Sequence, residues 1–186
     1  MIDINDGLVA ELKLFIKENY KLVSLGGLFP GGKGKRQGPG EMARGIRPKN
    51  FGEASDLMSV FVREKRDYED FAHALDKLRT EKKISPTELY NAAWIDKRLY
   101  SKIMTTANYR PAKNTAISFG LALGLKDDEF DEFLKNAGFA LSKSSMFDLV
   151  IRFCVSKEFF DLHDVNAFLL LMDQKMLVRE PVDSGE

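Results

Sequence analysis

Apolar side chains recur at helical intervals from about residue 53 to about residue 173, and this spacing limits the folds open to the chain. Such intervals place apolar residues on one face of a helix, whereas a half-buried strand alternates apolar and polar residues. This part of the chain contains neither a convincing alternating stretch nor an internal repeat. Residues 6–20 show the same helical spacing, so we predict an all-α fold built as a helical bundle.

Local signals place the ends of several helices. Ser85 precedes Pro86, and the missing N–H of proline costs nothing in the first turn, so a helix is predicted to begin there. Gly124 and Gly138 stand where glycines in the left-handed conformation end helices. An apolar helix face is predicted around Phe71. Further along the chain, the predicted helices cover residues 86–93, 96–105, 113–123, 127–137, 145–158 and 162–173.

A glycine- and proline-rich segment separates the first helix from the rest. It holds most of the 14 glycines and half of the 6 prolines, and its basic residues include Lys33, Lys35 and Arg36. It has too few apolar residues to offset its ordering entropy, so we expect a flexible arm. The predicted segments are an N-terminal helix (1–23), a Gly/Pro-rich basic arm or linker (24–53), a helical bundle (54–178) and a frayed tail (179–186).

The arm can be interpreted in three ways, of which the first is an inert tether. Lys33, Lys35 and Arg36 are suited to contact a phosphate backbone, where they would add charge without sequence information. Residues 27–33 also fit the first positions of a phosphate-binding loop. However, Gly34 then replaces the Ser or Thr that holds magnesium, so we expect no nucleotide cofactor there.

The charges balance overall but are distributed unevenly. The chain has 28 Lys and Arg residues and 28 Asp and Glu residues, yet residues 97–126 contain no acid and the C-terminal third is acidic. Local fields decide which partners a surface attracts, so the middle of the chain suits a phosphate-bearing partner. The basic residues of this stretch are Lys97, Arg98, Lys102, Arg110, Lys113 and Lys126.

The residue inventory argues against an enzyme, a metal centre and a membrane protein. The single cysteine, Cys154, excludes an intrachain disulfide and a multi-thiolate metal site. His73 and His163 belong to no recognisable nucleophile or acid–base motif. No apolar run approaches about 18 residues, and the first residues lack a signal-peptide pattern. We expect a non-enzymatic cytoplasmic protein without metal, cofactor, small-molecule substrate or membrane partner.

Residues 85–105 form a candidate helix-turn-helix. A first helix over 85–93, a turn at Trp94 and Ile95, and a second helix from residue 96 place short polar and basic side chains on one outer face. Such a face must fit a major groove about 12 Å wide and offer donors to bases or phosphates. The side chains expected to point outward are Lys97, Arg98, Ser101 and Lys102.

Residues in and around this motif recur in a known family. They are Leu78-Arg79 before the motif, Ser85, Leu89, Ile95, Ser101 and Ile103 within it, and Pro111, Thr115 and Leu121-Ala122-Leu123-Gly124-Leu125 after it. The span 71–137 resembles the five-helix domain of the lambda-repressor-like (Cro/C1-type) family. The resemblance implies a transcriptional regulator that binds double-stranded DNA. The residues then expected at base edges or the groove wall are Lys97, Arg98 and Ser101, and those expected at phosphates are Lys102, Arg110 and Lys113.

A second resemblance covers about 68–177. The matching words are Ile95-Asp96-Lys97-Arg98-Leu99-Tyr100-Ser101-Lys102-Ile103, Tyr109-Arg110-Pro111-Ala112-Lys113-Asn114-Thr115-Ala116, Ala137-Gly138-Phe139-Ala140-Leu141-Ser142 and Phe147-Asp148-Leu149. They are similar to a bacterial helical domain found C-terminal to macrodomains and other defence modules, in proteins sometimes labelled ribonuclease III inhibitors. This resemblance implies an alternative function, as a protein-interaction or adaptor module of a bacterial defence or stress system.

Departures from the repressor pattern keep both functions open. Trp94 stands where repressor domains usually carry glycine in the turn, and Tyr90 replaces a small alanine between the helices. A bulky residue disfavours the left-handed conformation that such a turn uses. An outward Trp94 would suit a protein partner. The apolar run Phe168–Met172 predicts a helix that must be covered on more than one side, by the core, a partner or a second copy.

Overall fold

The computed structural model describes Ile4 and residues 6–20, 70–107 and 109–179, and every regular element within these ranges is an α-helix. The predicted all-α fold is therefore confirmed. The helices are α1 (Asp6–Asn19), α2 (Phe71–Glu81), α3 (Pro86–Ala92), α4 (Lys97–Thr105), α5 (Lys113–Ala122), α6 (Asp127–Asn136), α7 (Met146–Ser156) and α8 (Leu162–Leu171).

Several predictions fall outside these ranges. The basic arm with Lys33, Lys35 and Arg36 is one of them, as are residues 54–69 and the tail beyond Arg179. The described residues all belong to one compact unit of the chain. None of the helices in that part of the chain is both long enough and apolar enough to cross a membrane.

Side chains at the starts of α3 and α4 satisfy exposed backbone N–H groups. The hydroxyl of Ser85 accepts from the N–H of Glu88 (3.2 Å), and the Glu88 carboxylate accepts from the N–H of Ser85 (2.8 Å). The bonds to Ser85 lower the pKa of Glu88, because they stabilise its carboxylate. Asp96 caps α4 by accepting from the N–H of Arg98 at 2.7 Å. Both predicted helix starts are confirmed.

Six helices end in the same hydrogen-bonded loop, although only two of these loops contain glycine. A residue with positive φ follows the helix, and the next N–H bonds back to a carbonyl five residues earlier. Gly124 and Gly138 do so as predicted. In five of the loops an apolar side chain comes next and packs against the core, which offsets the cost of positive φ at other residues. The residues with positive φ are Lys83, Trp94, Gly124, Gly138, Glu158 and Asp173.

Helix α5 runs through the centre of the molecule and is buried on all its sides from Ala116 to Leu121. Helices α3 and α6 pack against it, and α2 packs in turn against α4 and α6. At Gly120 an added Cβ would lie 2.7 Å from the ring of Phe130, so only glycine allows α6 to approach this closely. This close-packed centre supports the outer helices.

A second aromatic cluster joins α1, α7 and α8. The ring of Phe153 lies 5.6 Å from that of Phe15 on α1 and 5.8 Å from that of Phe168 on α8. Lys157 of α7 forms an ion pair with Glu11 of α1. Cys154 is fully buried here, and burial raises the pKa of its thiol far above the ordinary value. The first helix therefore shares its core with the bundle.

The end of α8 is covered by the core only in part. Phe168 and Leu169 are buried, but Leu170 is 58% exposed and Leu171 is 46% exposed. The core of the described chain therefore leaves these two residues uncovered, and their coverage by a partner or a second copy stays a prediction. Helix α7 is the helix that packs against α8, so the side of α8 that carries Leu170 and Leu171 faces solvent.

A buried amide holds the chain that follows α8. Asn166 accepts from the N–H of Leu177 at 2.8 Å and donates to the carbonyl of Val178 at 3.0 Å. Asn114 on α5 donates to the carbonyl of Leu177. Leu177 is buried as a result, so residues after α8 close one end of the bundle.

Candidate nucleic-acid interface

Helices α3 and α4 form a pair of short helices joined by residues 93–96. Their inner faces carry Leu89 and Ile103, which are fully buried, and Tyr100, whose ring lies 5.7 Å from that of Tyr90. Burial raises the pKa of the Tyr100 phenol. These contacts fix α4 against the core, so the opposite face of α4 is a rigid surface.

The turn between α3 and α4 holds Trp94 in the left-handed conformation, with φ at 53°. The N–H of Trp94 donates to the carbonyl of Asn91 (3.0 Å), and the N–H of Ile95 donates to the carbonyl of Tyr90 (2.8 Å). Tryptophan pays roughly 1–2 kcal/mol for this conformation, which glycine would adopt freely. Trp94 therefore adopts the left-handed conformation in spite of its bulky side chain, and the buried Ile95 anchors the turn.

Trp94 does not stand outward as the sequence suggested. It is half-buried, and its ring meets that of His163 edge-on at a centroid distance of 4.5 Å. His163 lies in the first turn of α8, so the turn after α3 is packed against the C-terminal part of the chain. This correction follows from tertiary packing, since 68 positions separate the two residues and no local pattern links them.

The outer face of α4 carries the predicted polar and basic side chains. Lys97, Arg98, Ser101 and Lys102 are all exposed, and their spacing places them on one side of the helix. Among the described residues, no carboxylate forms an ion pair with any of these three cations. The ammonium of Lys102 lies 5.4 Å from the ring centre of Tyr109. This set is called the α4 face below.

The acids nearest to the α4 face in sequence are engaged elsewhere. Residues 85–105 contain two acids, Glu88 and Asp96. Each accepts a hydrogen bond from a backbone N–H at the start of its own helix. Because both carboxylates serve as caps, they do not pair with the basic side chains of α4.

The two remaining predicted phosphate ligands have different surroundings. Arg110 is exposed in the connection before α5. Lys113 instead donates to both carboxylate oxygens of Asp148, at 2.7 and 2.6 Å. Asp148 is almost fully buried and also accepts from the N–H of Ser142 at 2.8 Å. The charge of Lys113 is therefore used to join α5 to α7, and we leave this residue out of the candidate surface.

An open groove of about 470 Å³ lies beside the turn at Trp94, and no pattern in the sequence predicts it. It is formed by the ends of α3 and α5 and the start of α8, which are distant in sequence. Its lining residues are Ala92, Trp94, Leu121, Ala122, Leu123, Gly124, Phe160, Asp161, Leu162 and His163.

Neither a family model nor a curated protein nor a solved structure matches the chain. Within residues 6–20, 70–107 and 109–179, no three His, Cys, Asp or Glu side chains are grouped so that they could hold a metal ion.

Proposed function

We propose that the protein binds duplex DNA through the α4 face and acts as a DNA-binding regulator of transcription. One observation carries this proposal: three cations and a hydroxyl share one exposed helix face without a carboxylate partner among the described residues. The resemblance of residues 71–137 to lambda-repressor-like domains supports the same function.

The dimensions of α4 suit the proposed contact. An α-helix with its side chains is about 10–12 Å in diameter, and the major groove is about 12 Å wide. Arg98 offers a planar fork that matches the two acceptors of a guanine, and Ser101 is short enough to allow close approach. Lys102 and Arg110 are proposed to bind phosphates, which fix the position of the protein without reading sequence.

The basic arm is a second source of charge in this proposal. Lys33, Lys35 and Arg36 are proposed to contact the phosphate backbone. Their replacement by alanine should weaken binding to every sequence alike and flatten the salt dependence. An unchanged salt dependence would remove the arm from the proposal.

Fluorescence anisotropy of labelled duplexes tests the proposed function. The probes are duplex DNA from the region upstream of the protein's own coding sequence and a scrambled duplex, with single-stranded RNA as competitor. We expect tighter binding to the upstream duplex, weakened in Lys102→Gln and unchanged in the control Lys143→Gln, whose lysine is exposed on the α6–α7 connection. Absence of binding near physiological salt, or equal weakening by both variants, would contradict the proposal.

Arg98→Gln separates base recognition from phosphate binding. The expected result is a smaller ratio of specific to non-specific affinity, because the fork that reads a guanine is lost. If binding to both duplexes weakens by the same factor, Arg98 is a phosphate ligand instead.

A second candidate function, protein interaction, is favoured by the exposed apolar side chains after the middle of α8. Leu170, Leu171 and Met176 are the large ones. A homodimer through these residues would present two α4 faces to neighbouring half-sites about one helical turn apart. Sedimentation of the wild type and of Leu170→Glu tests this: a dimer that becomes a folded monomer supports it, and a wild-type monomer contradicts it.

A further inference from the structure

The groove beside Trp94 has the chemistry of a site for a planar cation. Trp94 and Phe160 supply aromatic rings, and the buried side chains of Leu121, Leu123 and Leu162 form apolar walls. Gly124 adds no side chain, and the Phe160 ring lies against its turn at an ordinary packing distance. The groove is therefore a shelf bordered by aromatic rings and open to solvent on one side.

Apart from His163, Asp161 is the only residue with an acidic or basic side chain among those that line the groove. Its carboxylate accepts from the N–H of His163 at 2.8 Å, which holds it in place at the start of α8. Two lysines that neighbour the groove in sequence are neutralised: Lys126 by Glu158 at 2.6 Å, and Lys157 by Glu11. A cation that enters the groove therefore meets the oriented Asp161 carboxylate. Lys126 and Lys157 do not compete for this carboxylate, because each already pairs with a glutamate.

The turn after α3 holds Trp94 at the edge of the groove. Its positive φ belongs to the hydrogen-bonded loop that ends six of the described helices. The ring is half-buried and lines the groove.

We propose that this groove binds an arginine side chain presented by a protein partner. A guanidinium is planar, so it stacks on an aromatic ring while its N–H fork donates to a carboxylate. Trp94 and Phe160 provide the rings and Asp161 provides the acceptor. This site is independent of the proposed DNA binding by the α4 face.

The experiment uses the intrinsic fluorescence of the full chain, in which Trp94 is the single tryptophan. The probe is an acetylated and amidated tripeptide with arginine between two leucines. The matched control peptide carries citrulline, which keeps the shape of arginine without its charge. We expect saturable change in Trp94 emission with the arginine peptide, and binding of the citrulline peptide about tenfold weaker.

Two protein variants assign the effect to the carboxylate. Asp161→Asn removes the charge but keeps the helix cap, since asparagine caps as well as aspartate. It should reduce the affinity for the arginine peptide to that for the citrulline peptide. Asp173→Asn removes an exposed acid at the other end of α8, where asparagine tolerates the positive φ, and it should bind the arginine peptide like the wild type.

The proposal is overturned if the arginine peptide gives no saturable change, if the two peptides bind equally to the wild type, or if Asp161→Asn binds the arginine peptide undiminished. DNA binding measured on Asp161→Asn keeps the two proposals apart. It should match the wild type, because Asp161 is not part of the α4 face.

Discussion

Lys102 and Lys113 come from the same acid-free stretch of sequence, yet their ammonium groups have different surroundings. The ammonium of Lys113 donates to both carboxylate oxygens of the buried Asp148, while that of the exposed Lys102 lies 5.4 Å from the ring centre of Tyr109. Helix α7 supplies the acid for Lys113, 35 positions further along the chain. None of the other described helices covers the outer face of α4, where Lys97, Arg98 and Lys102 are exposed, so these cations stay available to a partner.

The same contrast extends to the rest of the C-terminal part of the chain. Its basic side chains pair across helices, Arg152 with Asp131 (3.0 Å) and Lys126 with Glu158 (2.6 Å). The acids that make this part negative thus neutralise the cations of its own helices. A cation with a carboxylate partner serves the fold, and the cations of α4 have no such partner among the described residues.

The largest expected effect is a loss in the free energy of unfolding when Lys113 is replaced. Lys113→Met leaves the Asp148 carboxylate buried without its cation, so the free energy of unfolding should fall by about 3 kcal/mol. Urea unfolding measures the loss, and the rate at which a thiol reagent labels the buried Cys154 should rise with it. Asp148→Asn should lose less, because an amide oxygen still accepts from Ser142. A loss below about 1 kcal/mol in Lys113→Met would mean that the pair does not hold α5 to α7.

Substitutions at Trp94 test the turn that joins the α4 face to the rest of the molecule. Trp94→Gly and Trp94→Ala lose the same contact with His163, but only alanine keeps the strain of the positive φ. The glycine variant should therefore be more stable than the alanine variant by about 1 kcal/mol, measured by thermal unfolding.

A matched pair of controls sets the scale for that difference. Gly124→Ala, at φ 61° with room for a Cβ, should lose about 1 kcal/mol for the same reason. Ala92→Gly, within helix α3, should also lose stability, since glycine is unfavourable inside a helix. If Trp94→Ala is as stable as Trp94→Gly, the conformation at this turn is not strained.

Lys102→Gln is the counterpart of the Lys113 variant. Its free energy of unfolding should stay within about 0.5 kcal/mol of the wild type, because the side chain is exposed and lacks a carboxylate partner among the described residues. Its affinity for DNA should fall instead, with a salt slope about 0.9 smaller in magnitude. A stability loss as large as that of Lys113→Met would erase the distinction between the two regions.

The smallest effect on stability is expected when the exposed ion pair of Lys126 and Glu158 is removed. The hydrogen bond to Glu158 raises the pKa of Lys126 above 10.5, so any contribution to stability is present below that pH and is lost as the pH rises through the raised value. Both side chains are exposed and screened by salt, so Lys126→Gln should unfold at the same temperature as the wild type at pH 7. A clear drop in that temperature would show that exposed pairs also stabilise this fold.

Local features were predictable from the sequence because their causes are local. Helical spacing predicted the all-α fold, Ser85 and Pro86 marked the start of α3, and Gly124 and Gly138 marked two helix ends. The outward direction of Lys97 and Lys102 followed from the position of Ile103 on the inner face. Such conclusions need only the period of a helix and the chemistry of its ends.

Features that depend on distant partners were not predictable. Nothing near Lys113 in sequence indicates Asp148, and nothing near Trp94 indicates His163 or the groove. Four of the described helices end in a turn without glycine, and in three of these turns the next residue is apolar and packs against the core, which offsets the backbone preference. The exposure of Leu170 likewise depends on which helices pack against α8, which an apolar run alone does not reveal.

The central claim, that the α4 face binds DNA, is tested most directly by the salt dependence of binding in two triple variants. One is Lys97→Gln/Arg98→Gln/Lys102→Gln on the α4 face, and the other is Lys126→Gln/Lys135→Gln/Lys143→Gln, which changes the net charge equally elsewhere. The account predicts that the first variant stays folded, binds duplex DNA at least about tenfold more weakly and has a slope of log affinity against log salt at least about 0.9 smaller in magnitude, while the second binds like the wild type. Equal loss in both variants, or an unchanged slope in the first, would contradict it.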